Sequence, residues 1–563
     1  MRDYKLNIHY YNIEMKTKTF LLGMMMLPMT VMAQNYVSEV WCPDNGDGTY
    51  TNPVINADYS DPDVIAVGED YYLTASSFAS MPGLPILHSK DMVNWEIINY
   101  ALRSQFPDSP APQHGNGVWA PSIRYHQGEY YIYWGDPDNG VMMVKTKDPY
   151  GRWEDPVCVI PGKGMIDTTP LWDDDGRCYL VNGWAGSRAG FNSILTVREL
   201  SADGTKAISD PIIVFDGGNE NRTAEGPKFY KRDGWYWIMC PAGGVEQGWQ
   251  LAMRSKSPYG PYECKTVLAQ GNTKVNGPHQ GGWVHTAFGE DWFMHFQDKG
   301  CYGRVVHLQP VTWKDNWPVM GIVPKKGYCG EPVMTYKKPK TAATVALCNP
   351  VESDEFNQPA LGKQWQWAGD YHQLYGMPTA DGFFRLFCYK LGTQNIPVNL
   401  WQNPAMLLQK TPADVFTATT KVRFAAKAEK QYGGIIMFGM DYSALVVKRV
   451  GDEFQLQQIT CKAADKGKDE TIQVLATLKP TDKDKVNYNP ALYEDVYLRI
   501  KVKDGKCTFA YSTNGKSYKE VGTEFTMKEG KWIGAKVGLV ASQPIDIKGN
   551  NGYLDIDWFR ITK

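Results

Sequence analysis

The sequence lacks a charge of either sign to spare: 59 Lys plus Arg face 61 Asp plus Glu, a formal net charge of −2. Without a basic surplus there is no footprint for a phosphate backbone or an anionic membrane surface, and no nucleic-acid partner is expected. The eleven cysteines include no CxxC pair and no Cys/His cluster at zinc-ligand spacing, so a structural zinc has no basis. A chain of 563 residues needs no disulfide staples; most of these cysteines are expected as small buried hydrophobes, and an odd count leaves at least one thiol free. No apolar run reaches the about twenty residues that span a bilayer, so no membrane span is expected. The string NGKS at Asn514 is not a phosphate-binding loop, because Ala510 stands where the upstream glycine would be. What the sequence does have is aromatic: 19 Trp, 33 Tyr and 20 Phe, with 54 Gly and 35 Pro. That mixture suits many short strands joined by tight turns, and sugar-facing platforms where rings lie exposed.

Residues 1–33 read as a signal peptide with an upstream extension. Met15 is the better start, followed by Lys16 and Lys18, an uncharged run from Phe20 to Met32, and small residues before a mature N-terminus at Gln34. Periplasmic or secreted localisation is the expectation. No Cys follows the cleavage point, so a lipid anchor is not expected there.

One unit recurs along the first 336 residues: a small or acidic residue and Pro, an apolar position, a polar turn with Gly, then aromatic and β-branched residues. It begins DPDVIAVGEDYYL, APSIRYHQGEYYIYW, TPLWDDDGRCYLV, GPKFYKRDGWYWIM and, with Gly replacing Pro, QGGWVHTAFGEDWFMHF. The markers fall at 62, 121, 170, 227 and 281, spacings of 59, 49, 57 and 54. Five such repeats predict an all-β chain that opens with a five-bladed β-propeller over 50–336, each unit supplying half a four-stranded blade. A tandem of small sandwiches would need about a hundred residues per unit. Residues 337–351 are polar and aperiodic, a linker. From 352 to 563 strands of another rhythm appear, with hairpin signals at Asp504-Gly505 and Asn514-Gly515, predicting a concanavalin-like β-sandwich.

In a propeller the first strand of each blade runs beside the axis, so equivalent repeat positions converge. Asp61 lies one residue before its marker, Asp167 three before and Glu225 two before, which brings three acids from three blades face to face. Elsewhere in the series these places hold Ala120, Gly226 and Gln280, so the fold itself does not demand acid. A carboxylate cluster repels itself unless it is used or neutralised by a metal.

The strings SDPDVIAVGEDYYLTASSF, MPGLPILHSKDMVNW, GVWAPSIRY, MIDTTPLW, AEGPKFYK and GRVVHLQPVTW, in this order, resemble glycoside hydrolase family 43, especially its β-xylosidase and arabinofuranosidase members. The C-terminal part, from VESDEFNQPALGKQWQW to GYLDIDWFRI, is similar to the sandwich that accompanies the propeller in that branch. The resemblance implies an exo-acting, inverting hydrolase that releases α-L-arabinofuranose or β-D-xylose from plant polysaccharides or oligosaccharides, needing no cofactor for its chemistry. It makes Asp61 the general base, Glu225 the general acid, and Asp167 the residue that orients the acid and raises its pKa. An inverting pair must stand apart by about 6.5–9.5 Å to leave room for water. Arg304, Trp119 and Phe78 match sugar-contacting positions, and His279 matches a histidine near a hydrated axial cation, often calcium. Ser60 precedes the base where xylosidases more often carry Pro, which leaves the sugar preference open, galactose included. A non-catalytic glycan-binding propeller and a retaining, fructan-type five-bladed enzyme are the other readings; the latter's NDPNG and ECP strings are replaced here by SDPDV and AEGP.

Overall fold

The computed structural model describes residues 35–563 except 107, 110, 326, 328, 372, 393–397, 452, 479–491 and 548–551. The signal peptide expected at 1–33 lies outside the described residues.

Five four-stranded antiparallel sheets follow one another along the chain, each built from consecutive strands. The strand nearest the axis in each blade is the first: Asp63–Val67, Trp119–His126, Met165–Trp172, Lys228–Arg232 and His279–His285. Every first hairpin turns on a glycine in the left-handed region, at Gly68, Gly128, Gly176, Gly234 and Gly289, which is why the Gly of the repeat is a fixed punctuation mark.

Alternating apolar residues leave each blade with two hydrophobic faces, and these faces meet around the ring. Trp134 and Ile86 share one cluster between blades one and two, Tyr133 and Leu180 one between two and three, and Val181 and Ile238 one between three and four. Trp237 and Phe293 join blades four and five, and Trp95, Leu73 and Met294 join five back to one. Emptying one of these buried indoles costs about 3–5 kcal/mol, so the ring is held at every junction. Among the described residues no strand is exchanged between first and last blade; the seam is closed by the segment before blade one. Thr49–Thr51 pairs with Thr335–Lys337, and Asn52 bonds through Nδ2 to the carbonyls of Leu308 and Val333, both 2.9 Å, while its Oδ1 accepts Leu308 N–H at 2.8 Å.

The C-terminal region is a sandwich of two mainly antiparallel sheets. One is centred on Lys536–Pro544, Tyr432–Phe438 and Tyr442–Val450; the other on Tyr553–Thr562, Val415–Ala425 and Leu492–Lys503. Trp365, Phe424, Leu445, Ile500, Val537 and Phe559 are buried in the core between them. The stretch 337–351 is irregular but docked: Lys338 Nζ lies 2.6 Å from Asp44 Oδ2, and Cys348 N donates to Asn94 Oδ1 at 3.1 Å. All eleven cysteines are free and six are buried, in the manner of small core hydrophobes. Among the described residues no helix is long and apolar enough to cross a membrane.

Candidate active site

Each inner strand opens on one residue with a left-handed backbone: Asp61 (φ 54°), Ala120 (φ 32°), Asp167 (φ 57°), Gly226 (φ 58°) and Gln280 (φ 36°). Three of these sit in breaks of ladder register, between Trp119 and Ser122, Ile166 and Thr169, and His279 and Gly281. A bulge re-aims side chains; it occurs in three blades, while the left-handed residue recurs in all five. It also explains the third repeat's odd offset. Asp167 is three residues before Pro170 rather than one, yet it occupies the left-handed position its counterparts occupy, so in that blade the proline is a late marker. Glu225 lies one residue before the left-handed Gly226, in step with Ser60, Trp119, Ile166 and His279 of the other blades.

These positions surround a hollow of ≈ 170 Å³ whose lining includes Asp61, Asp167, Glu225 and Arg304. Asp61, Asp167 and Glu225, from three different blades, stand together around it. Asp61 is buried; the hydroxyls of Ser60 and Ser76 donate to its Oδ2 at 2.6 and 2.5 Å, and its Oδ1 lies 3.5 Å from Arg304 Nη1. Arg304 also donates to Ser60 Oγ at 2.8 Å, so Ser60 relays between guanidinium and carboxylate, a link that proline at this position would not supply. Glu225 is half-buried and its Oε1 stands 3.1 Å from Nε2 of His279, a fully buried imidazole packed against Phe296. Since Nδ1 has no partner, the ring proton is assigned to Nε2, where it donates to Glu225.

Asp167 accepts Gly226 N–H at 2.7 Å and lies 3.5 Å from Gln280 Nε2. A side chain on Gly226 would strike the Gln280 amide at 2.6 Å, so only glycine permits both the left-handed turn and this approach. Burial, and then the charges of Glu225 and Asp61, push the Asp167 carboxyl up from 3.8 to about 8. Complete burial is the larger cause, and the two neighbouring carboxylates add to it, so Asp167 holds a proton that an exposed aspartate would lose. The folded chain holds that proton more tightly than the unfolded one. Stability from this group is therefore complete below about 3.8 and declines as pH rises toward about 8. Wild-type Tm is expected to fall across that window more steeply than that of Asp167→Asn, as read by calorimetry; parallel curves would count against it.

Phe78 and Trp119 wall the hollow with ring centroids 6.4 Å apart, and Trp119 Nε1 donates to Gly115 O at 2.9 Å. The third ring was not foreseen. Trp532, from the sandwich loop 527–535, reaches over the propeller to stand 6.3 Å from Trp119 and closes one side of the hollow. Its only signal in the sequence is a lone Trp in the Gly-flanked string KEGKWIGAK between two strands. Asp58, buried and equally unforeseen, fastens that loop: Oδ1 accepts Arg304 N–H and Oδ2 accepts Gly534 N–H, both at 2.9 Å. Asp58→Asn sets an amide N–H against a backbone N–H, a mismatch worth about 1–3 kcal/mol. KM is expected to rise about tenfold with a smaller change in kcat; steady-state kinetics with an unchanged KM would show that the fastening does not reach the site.

His279 was expected near a hydrated axial cation, which one histidine would meet through the ion's own water. Nε2 of His279 is taken by Glu225, and among the described residues no three His, Cys, Asp or Glu groups gather as a metal site.

A small hollow with aromatic walls, three acids and a guanidinium is suited to a polyhydroxylated ring and to proton transfer upon it. Comparison with known proteins gives the class. Residues 50–318 match Glycosyl hydrolases family 43, and 353–562 match the Beta xylosidase C-terminal Concanavalin A-like domain. A Xylanibacter ruminicola relative is 36% identical over 508 residues, 89% of this chain and 87% of its own. The non-reducing end alpha-L-arabinofuranosidase of Bacteroides ovatus is 30% identical over 549 residues, 91% of this chain and 94% of its own. A crystal structure of a family 43 protein from Bacillus licheniformis shares the fold, with TM-score 0.76 at 24% identity over 91% of this chain and 99% of that one. The chain belongs to glycosyl hydrolases family 43 and is an O-glycosyl hydrolase.

Proposed function

We propose that the enzyme releases a terminal pentose, α-L-arabinofuranose or β-D-xylose, from plant cell-wall polysaccharides or oligosaccharides, with inversion at the anomeric carbon. The observation that carries this reading is the small hollow that blades and sandwich loop enclose around Asp61, Asp167 and Glu225. It accommodates one sugar ring rather than the run of rings an endo-acting cleft would hold. A neighbouring cavity of ≈ 390 Å³ shares Arg304, Val245 and Trp532 with it and leads outward between propeller and sandwich, in the place a leaving sugar would take.

In this mechanism Asp61, oriented by two hydroxyls and Arg304, accepts a proton from the water that attacks C1. Glu225, steadied by His279, gives its proton to the departing oxygen. Asp167, which accepts the N–H of the residue after Glu225, fixes that strand's approach and shares in the proton held by the acids. Arg304 offers its remaining N–H groups to sugar hydroxyls, and Phe78, Trp119 and Trp532 supply apolar faces. No cofactor enters these steps. The names of the relatives support the pentose, and the charged leader at Lys16 and Lys18 supports export to the periplasm or beyond.

The test is hydrolysis of the 4-nitrophenyl glycosides of α-L-arabinofuranose, β-D-xylopyranose and β-D-galactopyranose, with NMR of the first anomer formed. Release of a pentose of inverted configuration is expected. Exclusive release of galactose would correct the sugar, and a retained anomer would correct the mechanism.

A further inference from the structure

Lys228 takes no part in the steps above, yet it opens the inner strand that Glu225 leads into and is wholly buried. Its ammonium has no hydrogen-bond partner. A buried cation of that kind costs several kcal/mol unless something compensates it, so a strand position that Phe or Leu could fill is held by the residue least suited to it.

Its electrostatic surroundings come from three other blades. Burial favours its neutral form; Asp63 of blade one, then Asp167 of blade three and Asp61 of blade one favour the ammonium, against Arg124 of blade two. In blade five His279 is engaged with Glu225. Asp63 already has its own cation, since Oδ2 lies 2.6 Å from Arg124 Nη1 and 2.9 Å from Ile123 N. Arg304 likewise attends Asp61. Among the described residues no ion pair engages Asp167, and Lys228 is the cation that favours its charged form. Four carboxylates at 61, 63, 167 and 225 and three cations at 124, 228 and 304 are neutral together when the acids hold a single proton. Acid–base hydrolysis needs that count: one proton to give to the leaving oxygen, and one carboxylate free to take a proton from water. With the ammonium removed, neutrality would require a second proton, and the base would be lost at neutral pH.

We propose that Lys228 is a positioning residue acting through Asp167: its ammonium is the resident counter-cation of the propeller axis and keeps the Asp61, Asp167 and Glu225 group at one proton. It supplies from within the chain the neutralising charge that the sequence had suggested a metal beside His279 would bring. The proposal rests on the hydrolase mechanism above.

The experiment compares Lys228→Met, Lys228→Gln and Lys228→Arg with the wild type. In the pH profile of kcat/KM, on whichever 4-nitrophenyl glycoside the wild type hydrolyses, Met and Gln are expected to move the acidic limb upward by about one pH unit. Arg, which keeps the charge, should hold the limb in place whatever its turnover. A second reading needs no turnover: the infrared band of a protonated carboxyl, identified by its loss in Asp167→Asn, should persist to higher pH by about one unit in Met and Gln and not in Arg. If the wild type hydrolyses no glycoside, the functional reading fails while the infrared comparison still tests the charge. Superimposable limbs and bands in folded Met or Gln variants would overturn the proposal, as would an equal shift in Arg. Failure of both neutral variants to fold, with Arg folded, would make the charge a requirement of folding and would overturn it too.

Discussion

On an unactivated pentose oligosaccharide, Glu225→Gln is expected to lower kcat/KM by about 10²–10⁴-fold, and on the matching 4-nitrophenyl glycoside by far less. The asymmetry follows from the role. A sugar alkoxide is a poor leaving group and needs a proton as the bond breaks, whereas 4-nitrophenolate departs without one. Glutamine keeps the length of the side chain and can still face His279 Nε2, so the site should stay assembled while its donor is lost. Kinetics on the two substrates, with calorimetry as a check of folding, decide the matter. Equal losses on both would remove Glu225 from the acid role.

Asp61→Asn should behave in the opposite way, with a loss of about 10²–10⁴-fold whatever the leaving group, because the activation of water does not depend on what departs. The amide can still accept from Ser60 and Ser76 through its oxygen, and its NH₂ would then stand toward Arg304. Some weakening of sugar binding through Arg304 should accompany the fall in kcat. Near-normal turnover in a folded Asp61→Asn variant would assign the base to another group.

Much of this was legible beforehand because a propeller turns repeat spacing into spatial order. The markers at 62, 121, 227 and 281 lead directly to the left-handed residues at 61, 120, 226 and 280. The third repeat was harder to read, since Pro170 sits three residues past Asp167 rather than one; only the register of the ladder brings Asp167 level with Asp61. Trp532 and Asp58 escaped because their importance lies in contacts across the whole length of the chain, which periodicity does not record. His279 opens the fifth inner strand, as the repeat implied, but its contact with Glu225 was not read from the sequence. A histidine's position follows from its strand, while what its nitrogen meets depends on the neighbouring blade, here Glu225. Lys228 was passed over in the same way: in the string AEGPKFYK it looks like any strand lysine, and only its burial sets it apart.

The bond from Asp58 to Gly534 spans 476 residues. During vectorial synthesis the first acid of the site leaves the ribosome long before the glycine that completes its surroundings. An abbreviated nascent chain therefore lacks one wall of its reaction chamber until the loop before the final strands has been made.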